Sequence, residues 1–106
     1  MSTTWKVPTG YDGKPVMGIK HDQGKLRMSL LPEGVLNEVL AVLEHGAAKY
    51  GDENWRIVPD ATTRYYDAAH RHIESWWTCT EIDPESGKAH LAHAICSLMF
   101  LMYLDK

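Results

Sequence analysis

A chain of 106 residues with 44% hydrophobic content holds one domain around one core, and that apolar content excludes wholesale disorder. A net charge of −3 supplies no electrostatic drive toward nucleic acid or an anionic membrane surface, so neither is expected as a partner. The longest apolar run, residues 94–104, is broken by Ser97 and too short to cross a bilayer.

Residues 1–24 are rich in Gly, Pro, Lys and Asp and show no sustained periodicity. They read as an irregular arm with one short extended piece around Val16–Ile19, ahead of a helical core over 25–106. A first helix is predicted from Pro32, which suits a first helical turn, to a stop at Gly51. Leu36, Val39, Leu40, Leu43 and Ala47 make its apolar face. Residues 51–61 read as a loop, and Thr62 or Thr63 as the cap of a second helix running to about Cys79. Its apolar side carries Tyr66, Ala69, Ile73, Trp76 and Trp77, expected in the core. Asp67, Arg71, Glu74 and Thr78 lie opposite, with His72 between the two sides. Residues 80–88 are a polar turn, and a third helix over 89–104 is apolar nearly all round, as befits a central or interface helix. The fold class is therefore all-α, a small bundle of three main helices. Three such helices make a thin core for four tryptophans and five methionines. Completion by oligomerisation follows, most simply as a homodimer that pairs its long helices.

The region 64–101 concentrates the candidate chemistry. His90 and His93 stand three apart on one helical face, and Asp83 and Glu85 just upstream could complete a mixed nitrogen and oxygen metal site. On the second helix Asp67 could ligate the same ion and Arg71 could clamp a phosphate, although Asp67, Arg71 and Glu74 are also spaced as an ordinary charged face. His72, His90 or His93 could ligate the ion or act as base toward a metal-bound water, with His72 and Asp67 the catalytic candidates. Arg64 adds a cation. Lys25 and Arg27 precede the first helix, where backbone donors favour an anion. In the run Lys49 to Arg56, Trp55 could stack on a base or serve as a hydrophobic plug. Asn54 could read the edge of that base, and Lys49 or Arg56 could hold phosphates. No phosphate-binding glycine loop and no nucleophile beside a histidine is present, which leaves metal-assisted hydrolysis or simple binding. Cys79 and Cys96 lack CxxC spacing, and the amino terminus lacks an apolar leader segment. A reduced, cytoplasmic protein with two small buried thiols is the reading.

The blocks HDQGKLRMSLLP, EHGAAKYGDENWR, RYYDAAHRH and IDPESGKAHLAHA resemble, in order and spacing, a bacteriophage family, the dATP/dGTP diphosphohydrolase amino-terminal domain. The resemblance covers about residues 20–104. It implies a helical fold related to the MazG-type pyrophosphohydrolases, which cleave between the α- and β-phosphates with magnesium held by helix carboxylates. It implies hydrolysis of a purine deoxynucleoside triphosphate to monophosphate and pyrophosphate, with Mg or Mn as cofactor, in the host cytoplasm. The chain departs from that type in lacking the paired ExxE and later ExxD carboxylates; Glu38 and Glu44 are six apart. A second reading follows from the departure: a non-catalytic module that sequesters a nucleotide signal of antiphage immunity.

Overall fold

Gly34 decides where the first helix begins. Its φ of 80° lies in the left-handed region that favours glycine, so regular helix cannot extend back to Pro32. In the computed structural model, which describes residue 6 and residues 8–105, helix α1 therefore spans Val35–Tyr50. It stops where expected, at Gly51 (φ 100°), whose N–H donates to the Ala47 carbonyl at 2.8 Å. Helix α2 spans Ala61–Thr78 and helix α3 spans His90–Leu104. Single 3-10 turns occupy Met28–Leu30 and Asn54–Arg56. Among the described residues there is no sheet, and no helix is long and apolar enough to cross a membrane. The fold is all-α, as expected.

Neither threonine caps α2. Asp60 takes that position in a left-handed conformation (φ 54°), which Asp tolerates better than most residues, and no side chain caps the helix. In the arm, Val16–Ile19 form no paired strand. A tight turn around Gly13 instead links Thr9 to Pro15, with the Val16 N–H donating to the Pro8 carbonyl. The parts of the arm at residues 1–5 and 7 lie outside the described residues.

Helix α3 is the centre of the bundle. Ala92 and Cys96 pack on Val39 and Val42 of α1, with Leu43, Ile95 and Phe100 around them. These small α3 side chains let α1 approach until Cys96 Sγ reaches the Val39 carbonyl at 3.6 Å. Burial pushes the Cys96 thiol pKa up to about 11, so it stays protonated. Cys79, expected to be buried, is instead exposed just past the end of α2.

Helix α2 is rotated from the expected orientation. Of its predicted core side, Ala69 is buried, but Tyr66 is largely exposed, Ile73 and Trp76 are about two-fifths exposed and Trp77 is 75% exposed. The side turned inward instead carries Tyr65, Ala68, Ala69, His72 and Ser75. The reason lies on α3, where His90 and His93 face α2 and meet His72 ring to ring. Polar rings on one helix are satisfied by a polar partner on the other, and that requirement overrides hydropathy.

Candidate metal centre and cleft

The loop between α2 and α3 is locked by its own backbone. The Ile82–Ala89 bridge closes it, the Asp83 N–H donates to the Lys88 carbonyl and the Gly87 N–H donates to the Asp83 carbonyl, each at 2.8 Å. Asp83 Oδ1 accepts the Glu85 N–H at 2.9 Å, which fixes the carboxylate. The result holds Asp83 over the start of α3, where Asp83 Oδ2 lies 3.5 Å from His93 Nε2. Ser86 Oγ lies 2.7 Å from the same nitrogen and accepts the Lys88 N–H.

His72 arrives from α2. Its ring stacks on His93 with centroids 4.5 Å apart and planes within 10°. Its Nδ1 lies 2.9 Å from Nδ1 of the buried His90, so one imidazole donates to the other. When His72 is the donor, its Nε2 carries the lone pair. One ligand atom from each of His72, Asp83 and His93 falls within 4.8 Å of the others.

The electrostatics suit a cation. Burial, reinforced by the neighbouring His93, lowers the His72 pKa to about 4. Burial also lowers that of His93, against the pull of Asp83. Both rings are therefore neutral near pH 7, as imidazole ligands must be, and they stand beside the Asp83 carboxyl group. Two imidazoles and one carboxylate fit a first-row divalent ion.

The shift also predicts pH-dependent stability. His72 binds a proton less readily folded than unfolded, so its stabilising contribution is complete above about 6.5 and is lost as pH falls toward about 4. In EDTA, the melting temperature is expected to fall across that window, and to fall less in His72→Gln. Equal pH profiles for the two proteins would contradict the assignment.

The three-ligand group opens onto a cleft of about 1220 Å³ between α1, the 51–59 loop and α2. Of the residues singled out in the sequence, Lys49, Asn54, Trp55, Arg64, Asp67, Arg71, His72, Asp83, Glu85, His90 and His93 line it. Asp67 and Arg71 lie exposed on the α2 wall and, among the described residues, neither has an ion-pair partner. Arg64 reaches the Pro59 carbonyl at 3.5 Å. Lys49 Nζ pairs with Glu85 Oε1 at 3.4 Å, so Glu85 reaches across to α1 and stands outside the three-ligand group, as Asp67 does. His90 lies outside it too, hydrogen-bonded to one of its members.

Trp55 takes the plug position. Its ring stacks on Phe100 at 4.7 Å and meets Tyr103 edge-on, while its carbonyl accepts the Tyr65 hydroxyl at 2.9 Å. Arg56 lies over Trp55 and Tyr103 and pairs with Glu53, away from the cleft lining. Lys25 and Arg27 are not among the lining residues either. They sit exposed on the arm before the 3-10 turn, separated from α1 by residues 31–34. Sequence reasoning passed over Ser86 and His45 and set Glu44 aside for its spacing from Glu38, yet all three are in the cleft lining. Glu44 and His45 open the EHGAAKYG block, which was the available signal.

A family model described as dATP/dGTP diphosphohydrolase, N-terminal, matches residues 16–106. The dATP/dGTP diphosphohydrolase of Salmonella phage PMBT28 is 40% identical over 87 residues, covering 82% of this chain and 29% of that relative. The chain thus spans less than a third of the relative's length. No solved structure matches the chain.

Proposed function

From the premise that this chain belongs to the dATP/dGTP diphosphohydrolase N-terminal family, we propose that it hydrolyses a purine deoxynucleoside triphosphate to the monophosphate and pyrophosphate. The observation that carries the reading is the neutral pair His72 and His93 with Asp83 on the wall of a cleft that also presents two arginines. A divalent ion bound there would supply Lewis acidity toward the phosphate oxygens. Manganese would serve as well as or better than magnesium, because imidazole suits first-row metals.

The chain's own groups divide the remaining work. Arg71 and Arg64 neutralise the phosphates. Asp67, without an ion-pair partner among the described residues, accepts the proton of the attacking water. The Lys49–Glu85 pair ties the metal loop to α1 and borders the substrate, and Asn54 meets the base. Trp55 and Phe100 exclude water from one end of the cleft. The working unit in this reading is a homo-oligomer.

One observation favours the alternative. The three-ligand group contains a single carboxylate, and the chain lacks the paired helix carboxylates of the MazG type. A sequestering module would need the cations and the cleft without turnover. Incubation with dATP, dGTP and cyclic or ADP-ribose-derived nucleotides, with manganese or magnesium, separates the two. Hydrolysis is expected to release monophosphate and pyrophosphate in a one-to-one ratio. Recovery of intact nucleotide after heating the protein would overturn hydrolysis in favour of sequestration.

A further inference from the structure

His90, His93, Ser97 and Phe100 follow one another along α3 at spacings of three, four and three, which is one helical stripe. All four line the cleft. The histidines belong to its metal end, and Phe100 carries the stacked Trp55 ring at the other. Ser97 lies between them and belongs to neither group. It is only 6% exposed, yet its hydroxyl has no hydrogen-bond partner among the described residues. A helical serine can turn its hydroxyl back to the carbonyl one turn earlier, and Ser97 does not. Among the described residues no side-chain oxygen or nitrogen is sealed from solvent without a partner, so this unpaired hydroxyl opens onto the cleft. Stability does not account for it. Alanine favours a helix more than serine does, and Ala92 and Ala94 are already buried on α3. An unpaired hydroxyl in a nearly dry position costs free energy that a partner entering the cleft would recover.

We infer that Ser97 is a specificity-determining residue whose hydroxyl bonds to the sugar 3′-hydroxyl of the nucleotide in the cleft. The inference rests on the deoxynucleoside triphosphate substrate proposed above. Position along the helix selects the sugar. Ser97 stands four residues beyond His93, a rise of about 6 Å. With the α-phosphate against an ion at His93, the sugar follows through one oxygen and one methylene, which carries its hydroxyl about one helical turn along the floor. The phosphates stay with the ion and Arg71, and the base continues toward Asn54 in the 51–59 loop. Chemistry selects it as well. A deoxyribose in a nucleotide has one free hydroxyl, and a serine can either donate to it or accept from it. Residues 94–104 carry no charged group, so the bond is between neutral partners and its loss has a modest, readable size.

Calorimetry with α,β-methylene dATP and its 2′,3′-dideoxy counterpart, each with Mn²⁺, reads the contact. The unmodified chain is expected to bind the first about three- to tenfold more tightly, the size of one neutral hydrogen bond. Ser97→Ala should weaken the first by that factor and leave the second unchanged, which erases the preference. Its melting temperature should not fall, because none of the described residues bonds to the hydroxyl. A serine that only supported the helix would weaken both ligands together and lower the melting temperature, and that result would overturn the inference. So would equal affinity of the unmodified chain for the two ligands, which needs no variant, or a preference that survives in Ser97→Ala. Failure of hydrolysis is a different result. A chain that keeps the preference but releases no pyrophosphate from dATP loses the catalytic reading and upholds Ser97. One that hydrolyses dATP and binds both analogues equally loses Ser97 alone. Binding of neither analogue overturns both.

Discussion

Asp83→Asn and His93→Ala are each expected to lower deoxynucleoside triphosphate hydrolysis by at least about 100-fold while circular dichroism stays unchanged. Partners that merely orient a metal ligand cost roughly 10–100-fold when removed, so a direct ligand sets a higher floor. The asparagine is a clean test. Its side-chain oxygen can still accept the Glu85 N–H that shapes the loop, and only the charge is lost. Glu85→Gln is the internal contrast. Glu85 pairs with Lys49 and stands outside the three-ligand group, so its loss should cost far less. Pyrophosphate release in saturating manganese makes the comparison. Equal losses in Asp83→Asn and Glu85→Gln would move the metal toward the mouth of the cleft.

The second large effect belongs to Arg71. Its guanidinium lines the cleft and, among the described residues, has no carboxylate partner, so Arg71→Ala removes no ion pair and should leave stability nearly unchanged. If it holds a phosphate, the loss of a charge-assisted hydrogen bond costs about 1.5–3 kcal/mol, roughly ten- to a hundred-fold in affinity. Arg71→Lys should restore part of this, since a lysine keeps the charge but loses the fork that grips two oxygens. Calorimetry with a non-hydrolysable triphosphate reads both variants. Unchanged affinity in Arg71→Ala would remove the clamp.

The helices were legible because their signals are local. Apolar spacing on α1, the glycine after it and the polar turn before α3 act within a few residues of one another. The rotation of α2 was not legible. Hydropathy places Tyr66, Ile73 and Trp77 inside, yet the contact side is set by the rings that α3 presents, a property of another segment. The site divides in the same way. Asp83 and His93 are ten residues apart and joined by one turn, so their meeting could be anticipated. His72 reaches them only through the crossing of α2 over α3, so its place beside Asp83 and His93 became visible with that crossing. The cations of the arm misled for a related reason. Lys25 and Arg27 are near α1 in sequence, but the turn at 28–30 and the backbone at Gly34 separate them from the cleft.

The central claim is that His72, Asp83 and His93 hold a divalent ion against a bound nucleotide. Anomalous diffraction at the manganese edge, from crystals grown with Mn²⁺ and a non-hydrolysable purine deoxynucleoside triphosphate, tests it most directly. The account predicts one strong peak roughly 2.0–2.3 Å from a nitrogen of His72, a nitrogen of His93 and an oxygen of Asp83, with the phosphates beside Arg71. A nucleotide in the cleft with no peak at those three residues, or with the ion on Asp67 and Glu85 instead, would contradict it.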